Sequence, residues 1–174
     1  MAFGRSKQKL WDEPALYEYA IAALGRRMRS VAELKRLLRQ RVEGSEYGNL
    51  LVETVVARLK EERYLNDSAY AATYSSLRKE NEKFGRRRVI SDLKQRGVHD
   101  SIIAKAVSSA YSDTNEERLA RDYLRRKRLQ KPADQKQAAR IFRTLVRAGF
   151  GSRTIITILK KWDVEDEVLT ALES

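Results

Sequence analysis

No cysteine occurs among the 174 residues, which excludes disulfides, thiolate metal sites, redox dithiols and cysteine nucleophiles. The single histidine, His99, cannot build a multi-histidine metal centre. Only two prolines occur, Pro14 and Pro132, so helices are seldom interrupted. No apolar run approaches the roughly 18 residues needed to span a bilayer. Residues 1–10 lack the apolar centre of a signal peptide, so a cytoplasmic protein is expected. No Gly-rich phosphate loop with its lysine is present; Gly149-Phe150-Gly151 is followed by Ser152-Arg153.

Positive charge is abundant instead. Lys and Arg number 36 against 24 Asp and Glu, a formal net charge of +12 with a pI near 10.0. Hydrophobic residues make up 42%, enough for a core, so a disordered polycation is not expected. Residues 112–162 carry 14 basic and 5 acidic groups, whereas residues 163–174 carry none and 5. Such a balance points to a polyanionic partner, with the acidic end a candidate competitor for the basic face.

Helical periodicity runs through the chain and no stretch alternates long enough for a strand. Nine or ten helices are expected. The first runs from about Asp12 to Leu24. Ser30 caps the second, with Glu33 completing a capping box. The third spans about Gly48 to Arg63. Asn66 or Asp67 caps a fourth that buries Tyr70, Ala71, Tyr74 and Leu77. The fifth lies between Gly85 and Gly97 on Val89, Ile90 and Leu93. The sixth starts at Asp100 or Ser101, and the seventh is capped by Asp113 or Thr114. Asp134 caps the eighth, on Ile141, Phe142, Leu145 and Val146. Ser152 caps the ninth, and a short tenth covers about Asp163 to Leu172.

The pattern repeats. Leu93 to Val98 lies 52 residues before Leu145 to Phe150, and the same offset maps Ile103 onto Ile155 and Val107 onto Leu159. The expected fold class is all-α: an elongated, curved tandem array of three three-helix repeats over residues 12–63, 64–112 and 113–162. A flexible segment, 1–11, precedes them, and an acidic helix or tail, 163–174, follows.

No catalytic constellation assembles. His99 reads as a turn histidine near a helix start rather than a general base, since no nucleophile or partner set accompanies it. The carboxylates Asp163, Glu165, Asp166 and Glu167 lack the spacing of a calcium loop. A non-enzymatic protein without cofactor or metal is expected. The basic stripes carry more. Lys136, Arg140, Arg143 and Arg147 fall within roughly 60° of arc on one helix face. Arg118, Arg121, Arg125 and Arg128 form a second line. Arg86, Arg87 and Arg88 crowd a helix start, where cations oppose the macrodipole, and Arg26, Arg27 and Arg29 precede the Ser30 cap. Arginine over lysine favours forked contacts to phosphate or carboxylate.

These residues resemble the RecX family of recombinase regulators. The resemblance rests on Leu24, Arg27, Ser30, Glu33-Leu34 and Leu38. It continues with Tyr64-Leu65-Asn66-Asp67, Tyr70-Ala71, Tyr74, Arg78 and Gly85. Ile90, Leu93, Gly97-Val98, Ile103, Ala106 and Gly149-Phe150 complete it. It covers about residues 15 to 160. The Arg86–Arg88 run and the acidic extension after Trp162 depart from the pattern. The resemblance implies a cytosolic protein that docks along the groove of the RecA–DNA filament, or blocks its extension, and inhibits ATPase, strand-exchange and coprotease activities. It also implies that some members bind DNA directly. The expected contact residues are Arg27, Arg78, Arg86, Arg87, Arg88, Arg140, Arg143 and Arg147, and a monomer is expected. Arg78 has a second reading, an ion pair that holds the fourth helix. The alternative function is a stand-alone helix-turn-helix DNA binder. Against it, the helices starting near Ser101 and Ser152 are dominated by Ile102, Ile103, Ile155 and Ile156 rather than base-reading side chains.

Overall fold

The structure, a computed structural model, describes residues 11–173. The segment 1–11, expected to be flexible, lies outside the described residues except for Trp11. Ten helices occur among the described residues: α1 (Glu13–Arg26), α2 (Val31–Arg41), α3 (Gly48–Glu61), α4 (Asp67–Glu80) and α5 (Arg86–Gln95), then α6 (Asp100–Ala110), α7 (Glu116–Arg126), α8 (Gln135–Arg147), α9 (Ser152–Lys160) and α10 (Asp166–Glu173). No strand occurs among the described residues, so the chain is all-helical. None of these helices is long and apolar enough to cross a membrane. The chain divides into two compact units, one of residues up to Tyr70 with Arg96–Val98, the other of Ala71–Gln95 with the residues from His99 onward.

In the first unit α1, α2 and α3 pack on one another. Leu16, Ala20, Leu34, Leu38, Val52, Val55 and Leu59 are fully buried at the centre. The start of α2 shows how the sequence fixes it. The first N–H groups of a helix have no partner within it. Here the Ser30 hydroxyl accepts the Glu33 N–H at 3.1 Å, and the Glu33 carboxylate accepts the Ser30 N–H at 3.1 Å. The Val31 N–H donates to the Asp67 carboxylate at 2.8 Å. Ser30 is fully buried, and its hydroxyl donates to the Arg96 carbonyl at 2.5 Å. Glu33 also takes the Arg96 guanidinium at 2.7 Å and the Tyr70 hydroxyl at 3.4 Å. Gly97, at φ +74°, completes this junction, since a Cβ there would lie 2.5 Å from the Ala32 Cβ.

In the second unit α5 packs on α6, α9 packs on α7 and α8, and α10 packs on α8 and α9. The end of α8 is a Schellman turn. Gly149, at φ +92°, donates to the Val146 carbonyl at 2.9 Å, Phe150 donates to the Leu145 carbonyl at 3.2 Å, and Phe150 and Leu145 are both buried. The same register closes α7 at Arg128 (φ 54°) and α9 at Asp163 (φ 56°), without glycine.

α6 starts at Asp100, as expected, and His99 caps it; its ring nitrogen accepts the Ser101 N–H at 3.3 Å. Several expectations on caps and burial need correction. Asn115, not Asp113 or Thr114, caps α7 by accepting the Arg118 N–H at 2.9 Å. Ser152 is the first residue of α9 rather than its cap; Gly151 holds the cap position, and its N–H donates to Glu116 at 3.2 Å. Leu77 is exposed and Ser75 is fully buried in α4. Leu77 sits about 90° from the centre of the buried face, at its edge. Val146 is also exposed, one residue and so about 100° round from fully buried Leu145.

Candidate functional site

The second unit brings two of the basic groups close through backbone. Gly85 donates to the Ala148 carbonyl at 2.8 Å and Arg87 to the Gly149 carbonyl at 3.2 Å. The N–H groups opening α5 therefore satisfy the carbonyls closing α8. Glycine is required on both sides: a Cβ at Gly85 would meet the Gly149 carbonyl oxygen at 2.3 Å, and one at Gly149 would meet the Arg88 nitrogen at 2.2 Å. This arrangement offsets the charge conflict read from the sequence. Arg86–Arg88 open one helix but stand at the carbonyl end of another, where cations are favoured.

The three arginines then diverge. The Arg88 guanidinium pairs with Asp92 at 3.0 Å, and Asp92 also accepts the Tyr74 hydroxyl at 3.1 Å. Arg86 donates to the Tyr111 carbonyl at 3.3 Å. Arg87 points with Arg86 into a cleft shared with Tyr111, Thr114, Glu116 and Leu119. Burial pushes the Tyr111 phenol well above its ordinary range. Tyr123 is raised too, by burial first, while the positive charges of Arg126, Arg147 and Arg88 pull it back. The ends of α5, α7 and α8 thus gather cations around one aromatic cluster, in which the Tyr123 and Phe150 ring centroids lie 5.9 Å apart.

Carboxylates neutralise much of the remaining charge. Arg27 lies 3.9 Å from Glu33. Arg78 pairs with Glu82 at 3.9 Å and stacks over Tyr74 at 4.9 Å, so its side chain braces α4. Glu82 also holds Arg126 at 3.0 Å. On α7, Glu117 takes Arg121 and Lys161, each at 2.7 Å, and Asp122 takes Arg125 at 3.2 Å. Hydrogen bonds from Lys161 and then Arg121 hold the Glu117 carboxyl below the usual range. Arg121 and Arg125 of the α7 stripe are therefore compensated, whereas Arg118 and Arg128 have no ion-pair partner among the described residues.

The α8 stripe is uncompensated along its length. Lys136, Arg140, Arg143 and Arg147 are all exposed, and none has an ion-pair partner among the described residues. The Arg147 guanidinium donates only to the Arg143 carbonyl, at 3.3 Å. The buried face of α8 is Ala138, Ile141, Phe142 and Leu145, opposite these four. The sequence holds a signal for this that a search for basic stripes misses: no Asp or Glu occurs between Asp134 and Asp163. Among the described residues no carboxylate of the acidic end pairs with the stripe either. Asp163 pairs with Lys131 at 2.7 Å and Asp166 with Lys160 at 2.8 Å. Among the described residues no group of three His, Asp or Glu could hold a metal ion.

Known proteins share this arrangement of helices. A family model described as the second three-helix domain of RecX matches residues 66–107. The regulatory protein RecX of Myxococcus xanthus (strain DK1622) is 34% identical over 145 residues, covering 75% of this chain and 76% of that protein. That of Geobacillus thermodenitrificans (strain NG80-2) is 30% identical over 145 residues, covering 82% of this chain and 52% of the relative. The chain thus spans about half the length of its Geobacillus relatives. The crystal structure of RecX from Lactobacillus salivarius has the same fold, with a TM-score of 0.65 at 21% identity over 87% of this chain and 96% of that one. With three quarters of each chain aligned to the Myxococcus protein at this identity, the chain belongs to the RecX family of regulatory proteins.

Proposed function

We propose that the chain regulates a RecA-type recombinase by docking on the recombinase–DNA filament, chiefly through the exposed face of α8, and that it inhibits ATP hydrolysis, strand exchange and coprotease activity. Membership of a regulatory family supports the class of function. The observation that carries the site is the line Lys136, Arg140, Arg143 and Arg147, four exposed cations on one helix face with no carboxylate partner among the described residues, whereas Arg88, Arg121 and Arg126 are paired. Like charges one turn apart repel unless an anion lies along them. An extended polyanionic assembly supplies that anion, as acidic side chains or as DNA phosphates. Inhibition then follows from tighter binding to one filament state than to others, and no bond is made or broken by the chain. Arg27, Arg78 and Arg88 are secondary contacts in this reading, because each must first leave a carboxylate. Arg86 and Arg87 sit in a separate cleft.

The test is binding to labelled single-stranded DNA, bare and recombinase-coated, across a salt series. Docking on the filament requires that the coat add affinity at every salt concentration. A stand-alone DNA binder shows a steep salt slope on bare DNA and gains nothing from the coat. That second result would replace the regulator reading with the helix-turn-helix one.

A further inference from the structure

We propose that the cleft between the starts of α5 and α7 binds a small phosphorylated sugar, with the phosphate on Arg86 and Arg87 and the sugar hydroxyls on Glu116. The proposal is independent of the docking face on α8. The cleft measures about 280 Å³. That lies just under the roughly 300–1,000 Å³ of ordinary small-molecule pockets, so it suits one compact polar molecule.

Arg86 is held in place, and both arginines are chemically unspent. The Arg86 guanidinium is fixed by one hydrogen bond to the Tyr111 carbonyl and lies 5.8 Å from the Tyr111 ring, leaving its other N–H groups to face a ligand. Neither Arg86 nor Arg87 has a carboxylate within ion-pair distance among the described residues, unlike their neighbour Arg88. The Thr114 amide donates to the Tyr111 carbonyl at 3.2 Å, and its hydroxyl has no partner among the described residues. Two guanidinium groups and a hydroxyl lining one cleft suit a tetrahedral oxyanion. A planar carboxylate would be gripped by a single guanidinium fork.

Glu116, which borders the same space over Gly151 as the Arg87 guanidinium, selects the rest of the ligand. Glu116 is anchored by the Gly151 N–H and by the Thr154 hydroxyl, which donates to it. A carboxylate has about four lone-pair sites, so acceptor capacity remains. An anionic group is repelled at that end and a hydroxyl donor is attracted. Leu119 supplies an apolar surface for the carbon face of a ring. A molecule with a phosphate for the arginines and hydroxyls for Glu116 satisfies both, and a bare cation satisfies Glu116 alone.

The experiment is an amide-resolved NMR titration of the full chain with ribose 5-phosphate, with parallel arms of inorganic phosphate, ribose and a short single-stranded oligonucleotide. The expected result is saturable shifts at Arg87, Thr114 and Gly151, with ribose 5-phosphate binding at least about tenfold more tightly than phosphate or ribose. R86Q with R87Q should abolish saturation, and R140Q should leave it unchanged. Should the double variant fold poorly, Thr114→Val serves as the second probe and should weaken binding severalfold. No saturable shift at these amides, equal binding of inorganic phosphate, or tighter binding of the oligonucleotide with the same shifts would each overturn the proposal.

Discussion

At the scale of single residues, two side chains make opposite predictions. Ser75 is fully buried in α4 and its hydroxyl has no hydrogen-bond partner among the described residues. A buried unsatisfied hydroxyl costs free energy that no contact returns, and alanine is the better helix former. Ser75→Ala should therefore raise stability by about 1 kcal/mol in urea denaturation; a loss of stability would mean that the hydroxyl is satisfied in solution. Glu117 works the other way. Its folded pKa lies below the unfolded value, so its contribution is present above the unfolded pKa and is lost as pH falls through the folded one. The Tm advantage of the wild type over Glu117→Gln should hold at neutral pH and vanish as pH drops below about 4. A difference that persists in acid would separate Glu117 from the stabilisation.

Secondary-structure elements depend on how their ends are closed. Gly25 lies in an exposed part of α1, and a Cβ added there would meet nothing within 4 Å, whereas Gly149 combines φ +92° with backbone at 2.2 Å. Gly25→Ala should stabilise by about 0.5–1 kcal/mol through helix propensity. Gly149→Ala should cost about 3 kcal/mol or more, since strain and the collision with α5 add. Thermal denaturation of the two variants decides this, and equal effects would contradict the α5–α8 junction. Ends also explain what was legible. The Ser30–Glu33 box, the Asp134 cap and the Gly97 and Gly149 turns are written in local residue chemistry, and they stand where that chemistry puts them. The ends of α7 and α9 are closed by Arg128 and Asp163 in left-handed backbone, which no glycine marks. The cap of α9 is invisible locally, because its acceptor, Glu116, lies 35 residues away in sequence. The residues that carry the family resemblance, Ser30, Glu33, Asp67, Tyr70 and Gly97 among them, converge on one hydrogen-bonded junction in the first unit. That part of the resemblance marks the fold more than a binding surface.

Across the whole molecule the net charge of +12 overstates the charge free for a partner. Arginine stripes can be read from spacing, but compensation cannot when the acid comes from another helix or loop, as Glu82 does for Arg126. The α8 face stands out only once those pairs are placed, and it then carries the proposed docking. The most direct test is Arg140→Glu with Arg143→Glu, assayed for inhibition of recombinase ATPase alongside circular dichroism. Both residues are exposed and without ion-pair partners among the described residues, so helical content should be unchanged. Inhibitory potency should fall by about tenfold or more, equivalent to roughly 1.4 kcal/mol of lost binding. Full inhibition by a well-folded double variant would contradict the account.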